Sequence, residues 1–101
     1  MPTCFESPNV TRESTIETAD TKATAAQGGL SLKFVSPGRA NVPDRIKLFP
    51  VPPEHQEIVA RYFRFAEYKA PNKKPRPGQI REHARLRAMG FAVDVIDQPP
   101  T

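Results

Sequence analysis

Twelve prolines divide this chain of 101 residues into short segments. Proline has a fixed φ and no backbone N–H, so it ends helices and interrupts strand ladders. Here the prolines gather at Pro50 to Pro53, Pro71 to Pro77 and Pro99 to Pro100, which marks two loops and a tail. A chain of this length makes one small domain, with a core near the lower end of what folds without staples. Disulfides cannot supplement that core, because Cys4 is the only cysteine. A cysteine-based zinc site is excluded with them, and a reducing cytosol fits. The net charge of +4, with a pI near 9.6, favours a polyanionic partner.

Between the prolines the pattern alternates between helix and strand. Residues 1–12 are polar and read as a flexible N-terminal arm. From Ser14 to Gln27, Ile16, Ala19, Ala23 and Ala26 recur at helical spacing, and Gly28-Gly29 follows as a stop. Leu30 to Val35 alternates as strand one and ends at Ser36-Pro37-Gly38. Strand two is Asp44 to Phe49, and Ile58 to Lys69, a β-branched and aromatic run, is strand three. After the basic loop Ala70 to Gly78, helix two spans Gln79 to Met89, with Ile80, Ala84 and Ala88 on one side, Leu86 near Gln79 and His83, and Arg81 and Arg85 facing away, and Phe91 to Ile96 is strand four. The predicted class is α/β, helix-strand-strand-strand-helix-strand, with a four-stranded mixed sheet. A crossover helix between strands three and four suits parallel pairing.

The chemistry concentrates on strand three. Residues i and i+2 of a strand share a face, so Glu67 and Lys69 stand side by side. A hairpin between strands two and three would bring Asp44 beside them. Two carboxylates and a lysine at one sheet edge suit Mg²⁺-dependent phosphodiester cleavage, in which hard oxygens hold the ion and a cation sits near the attacking water. Each residue also has a plainer reading. Pro43-Asp44 reads as a turn, and Glu67 with Lys69 as a solvated ion pair. Glu17 reads as the partner of Ser14 in a capping box, and Lys73, Lys74 and Arg76 as a solvated loop. His55 and His83 lack the paired spacing of a zinc site and read as surface or helix-edge residues.

The ordered set Gln27-Gly28-Gly29, Lys33 to Arg39, Val42-Pro43-Asp44-Arg45, Glu67-Tyr68-Lys69-Ala70-Pro71, Gln79 and Leu86 to Phe91 resembles the VRR-NUC nucleases. These form a branch of the PD-(D/E)xK superfamily, and the likeness is to the compact, standalone bacteriophage versions. It runs over residues 13–97, which the resemblance makes the nuclease domain, and leaves 98–101 as a tail. The resemblance implies a restriction-endonuclease-like core in which Asp44 and Glu67 bind Mg²⁺ or Mn²⁺, helped by the main-chain carbonyl of Tyr68. It implies that Lys69 orients or activates the attacking water and that a helix-one glutamate, Glu17 or else Glu13, joins the ligands. Gln79 matches the family glutamine that holds a water or phosphate oxygen, and Lys33 matches a basic phosphate contact. Asn41 stands where the family usually has glycine, and asparagine tolerates the left-handed geometry that the turn needs.

The expected activity is therefore hydrolysis of branched DNA by a metal-dependent endonuclease, a Holliday (four-way) junction resolvase working as a homodimer. The alternatives are a flap or non-specific DNA nuclease, or a non-catalytic phage DNA-binding accessory protein. Lys33, Arg39, Arg45, Lys73, Lys74 and Arg76 are the expected DNA contacts. Organic cofactors play no part in this chemistry. With no stretch of 18 apolar residues and no basic leader, the sequence predicts a protein of the host-cell cytoplasm, without a membrane partner.

Overall fold

The computed structural model describes residues 12–100. Apart from Arg12, the expected arm over residues 1–12 lies outside the described residues, as does Thr101 of the tail. The chain divides in sequence into two compact units, one ending at Phe49 and the other beginning at Pro50.

In the first unit, helix α1 (Glu13–Ala26) leads into strands β1 (Leu30–Lys33) and β2 (Arg45–Leu48). The strands pair antiparallel with Leu30 opposite Leu48 and Lys33 opposite Arg45, and the Phe34 N–H extends the ladder to the Asp44 carbonyl at 2.9 Å. Leu30, Leu32, Ile46 and Leu48 thus share one face, and Ser31, Lys33, Arg45 and Lys47 share the other. Gly29 is required where α1 turns into β1, since a Cβ there would stand 2.7 Å from the Leu48 carbonyl oxygen. The β1–β2 connection turns through Asn41 at φ 66, the left-handed geometry expected of it.

The alanine stripe does not form the inner side of α1. Ile16 is 58% exposed, whereas Thr24 is buried and Glu17 and Thr21 are half-buried. Alanines bury little surface, and the helix is instead oriented by its acids: Glu17 meets Arg45 at 2.6 Å and Asp20 meets Lys47 at 3.2 Å, both on β2. Thr18, Thr21 and Thr24 donate their hydroxyls to the carbonyls one turn back, each at 2.8 Å, which absorbs groups otherwise unfavourable inside a helix.

In the second unit, α2 (Pro53–Tyr62) and β3 (Arg64–Tyr68) are followed by α3 (Pro77–Ala88) and β4 (Ala92–Ile96). Strands β3 and β4 pair in parallel, as the crossover helix required, with Glu67 opposite Val95. Leu86, Phe91 and Val93 are buried, and the rings of Phe63, Phe65 and Phe91 meet edge to face with centroids 5.1, 6.0 and 6.1 Å apart. On the other face of β3, Arg64 grips Asp94 of β4 through two hydrogen bonds of 2.6 and 2.7 Å. Gly90, at φ +98, turns α3 into β4 where a Cβ would meet the Val51 carbonyl at 2.8 Å.

Two expectations are corrected. The described residues form two two-stranded pairs, β1–β2 and β3–β4, where one four-stranded sheet was expected. Strand three is shorter than Ile58 to Lys69, because Pro53–Tyr62 is helical. Pro53 presets the first helical φ, Glu54 and Arg61 complement the helix dipole, and Glu57 pairs with Arg61 one turn on at 3.5 Å. These outweigh the β-propensity of Ile58 and Val59. Pro50, Pro52 and Pro53 together remove three ladder donors after β2, so the strand cannot run on.

Candidate active site

The alternation of β3 sets the site. Phe65, Glu67 and Lys69 are half-buried on one side, while Arg64, Ala66 and Tyr68 are exposed on the other. Glu67 and Lys69 lie at the carboxyl end of the parallel pair, where open α/β sheets receive ligands. The Lys69 N–H donates to the Ile96 carbonyl at 2.9 Å, carrying the ladder one residue past the strand. Its ammonium, with the side chain 14% exposed, stands 3.9 Å from Oε2 of Glu67.

Helix α3 covers that face with residues 79, 83 and 86, spaced so that they fall on one side. Gln79 Nε2 donates to Oε2 of Glu67 at 3.1 Å, and His83 Nε2 lies 3.3 Å from Oε1. The Gln79 amide cannot turn over freely, because its Oε1 accepts the Arg76 N–H at 2.9 Å at the start of the helix. Expected to hold a water or phosphate oxygen, Gln79 here holds the carboxylate. His83, expected as a surface or helix-edge residue, is only 7% exposed. The signal was its helical spacing from Gln79 and Leu86; what no spacing reveals is the stagger that sets α3 over Glu67. Phe65, Glu67, Gln79, Glu82, His83 and Leu86 border a cleft of about 180 Å³.

The other predicted residues divide between the units. Tyr68, whose carbonyl was expected to help hold a cation, is the last residue of β3 and its side chain is exposed. Lys73, Lys74 and Arg76 are exposed on the loop between β3 and α3, which turns at Asn72 (φ 66) with the Lys73 N–H bonded to Ala70. In the first unit, Asp44 is exposed just ahead of β2, Arg39 is exposed in the β1–β2 turn, and Glu13 is exposed at the start of α1. Glu17 accepts from Arg45 Nε at 2.6 Å and lies 3.8 Å from the Lys33 ammonium. The hydrogen bond from Arg45, followed by the charge of Lys33, holds its carboxyl below the ordinary value of 4.5.

The chain is 45% identical over 86 residues to a protein of Acyrthosiphon pisum secondary endosymbiont phage 1 named "Putative nuclease p44", a match covering 85% of this chain and 83% of the phage protein. The chain belongs to this phage nuclease family. No protein-family model and no solved structure matches it.

For a member of a nuclease family, the donor chemistry of Glu67 bears on metal binding. Among the described residues, no three His, Cys, Asp or Glu side chains stand together as a preformed cage. Mg²⁺ does not need one: it keeps several waters and takes one or two carboxylates together with substrate phosphates. Glu67 suits that mode. It is a hard oxygen donor, still 28% exposed along its side chain, and Gln79 and His83 take one contact each from a carboxylate with about four acceptor sites. Among the described residues no helix is long and apolar enough to cross a membrane.

Proposed function

We propose that this member of the phage nuclease family is a divalent-metal-dependent, structure-selective DNA endonuclease of the VRR-NUC type, acting on four-way junctions. The observation that carries the reading is Glu67, braced at both oxygens by α3, with the half-buried Lys69 ammonium 3.9 Å away on the same face. A surface ion pair would need neither the brace nor the burial. The 45% identity to a phage protein that bears a nuclease name supports the same chemistry.

In this proposal Glu67, Asp44 and the main-chain carbonyl of Tyr68 are the oxygen ligands. Mg²⁺ or Mn²⁺, when bound, supplies Lewis acidity and neutralises phosphate charge. Lys69 orients the attacking water and stabilises the charge that gathers on the phosphoryl oxygens in the transition state. Its burial beside a carboxylate fixes the ammonium before substrate arrives. Glu17, the further ligand that the resemblance implies, is assigned a bracing role, since two cations, Arg45 at 2.6 Å and Lys33 at 3.8 Å, both meet its Oε2 and compete there with a metal ion. Lys33, Arg39, Arg45, Lys73, Lys74 and Arg76 contact phosphates. A junction has two-fold symmetry, so its paired nicks call for two sites, which a homodimer supplies.

Labelled duplex, flap and four-way junction DNA, incubated with Mg²⁺ and separately with EDTA, test the reading. Mg²⁺-dependent paired nicks in the junction are expected. Cleavage that survives EDTA would remove the metal, and flap cutting with intact junctions would remove the junction preference while leaving a nuclease. A protein that binds these DNAs and cuts none of them is an accessory protein.

A further inference from the structure

We infer that His83 is a positioning residue of this site, fixing the Glu67 carboxylate in the orientation that receives a divalent cation; the inference rests on the metal-dependent reading above. His83 is 7% exposed, and a buried imidazole must satisfy its ring nitrogens. Nε2 finds Oε1 of Glu67 at 3.3 Å. A carboxylate offers only acceptors, so the tautomer that makes this bond carries its hydrogen on Nε2.

Gln79 holds the second oxygen, and its amide is itself oriented by the Arg76 N–H. The two donors sit one turn apart on one rigid helix and reach the two oxygens separately. One contact would let the carboxylate swing about it, whereas two fix its plane. Neither an amide nor an imidazole N–H needs a formal charge to do this. Glu17 makes the contrast, because the guanidinium of Arg45 and the ammonium of Lys33 meet its carboxylate with full positive charges. Glu67 has one ammonium near it, that of Lys69 at 3.9 Å from Oε2, and on its α3 side it meets an amide and an imidazole, which orient the acid by hydrogen bonds. Partners that orient a metal ligand in this way commonly set metal affinity by 10–100-fold.

Mn²⁺ binding to the full chain, followed by electron paramagnetic resonance, tests this on wild type, His83→Leu and His83→Gln, with thermal melting in parallel. H83L should weaken Mn²⁺ binding by about 10–100-fold, whereas H83Q, whose amide Nε2 reaches the place of the imidazole Nε2, should stay within about threefold of wild type. A folded H83L with wild-type Mn²⁺ affinity overturns the inference, and so does an H83Q as weak as H83L. Long-range ¹⁵N–¹H spectra of the metal-free wild type decide the matter should H83L not fold: hydrogen on Nε2 supports the inference, and hydrogen on Nδ1 with bare Nε2 overturns it. Wild-type protein that neither binds Mn²⁺ nor cuts DNA would sink the metal-dependent reading itself, a result separate from equal binding by wild type and H83L.

Discussion

Arg45 donates its Nε–H to Oε2 of Glu17 across 2.6 Å, joining helix α1 to strand β2 by an ion pair. The guanidinium also reaches the Ser31 carbonyl at 3.4 Å, so one side chain spans three elements of the unit. Glu17→Gln keeps the shape but loses the charge. The melting temperature should fall by about 2–4 °C, as for a partly exposed pair in a small domain. Cleavage of DNA by the folded variant should drop less than about tenfold, because a bracing residue acts at a distance from the reaction. A loss of a thousandfold at unchanged stability would return Glu17 to the ligand set.

Acid should loosen both units through identifiable carboxylates. Asp94 is held below its ordinary 3.8 by the hydrogen bond from Arg64, and Glu17 below 4.5 by the hydrogen bond from Arg45. Protonation is thus harder in the folded than in the unfolded chain, so the stabilisation is fully present above the ordinary values and is lost as pH falls through the lowered ones. Urea midpoints at pH 6 and pH 3 should show a drop in wild type that shrinks in Asp94→Asn. An equal drop in both would remove Asp94 from the account.

Much of this was legible because periodicity survives in short elements. The half-buried alternation Phe65, Glu67, Lys69 follows from the sequence, as does the parallel β3–β4 pair from its crossover helix. Asn41 at φ 66 follows from turn chemistry. Helix α2 was hidden because Ile58, Val59 and Tyr62 are good strand formers and Phe63 alone separates the helix from β3. On α1 the alanines gave the right period and the wrong side, since acid–base pairing chose the face. His83 escaped because its partner is set by how α3 lies on β3, a tertiary quantity that residue spacing does not carry.

The basic loop should govern affinity more than turnover. Lys73, Lys74 and Arg76 are all exposed around the turn at Asn72. Changing the three to alanine should weaken binding to every DNA sequence and reduce the slope of log affinity against log salt by about 0.9 for each phosphate that is no longer neutralised. Cleavage at saturating DNA should change little. Unaltered affinity and slope in a filter-binding titration would place the loop away from the phosphates.

Asp44→Asn tests the proposed place of Asp44 among the metal ligands. Asp44 is exposed, and its backbone carbonyl already serves the ladder through Phe34, so the amide should fold like wild type. Removing one ligand charge should abolish Mg²⁺-dependent cleavage while DNA binding holds or improves, since repulsion of phosphate falls as well. Wild-type cleavage by purified D44N would exclude Asp44 from the site.

Lys69→Met separates the lysine's chemistry from its packing. The side chain is 14% exposed, so its stem is part of the covered face and methionine of similar length fills the same space. What the variant loses is the ammonium 3.9 Å from Glu67. Folding should therefore persist, and Mn²⁺ should bind as well as in wild type or slightly better, because a competing positive charge has gone. If Lys69 orients the attacking water, single-turnover cleavage at saturating DNA and metal should fall by about 10²–10⁴-fold. Failure of K69M to bind Mn²⁺ would mean that the lysine shapes the carboxylate instead of the water, and cleavage at the wild-type rate would leave it a structural ion pair.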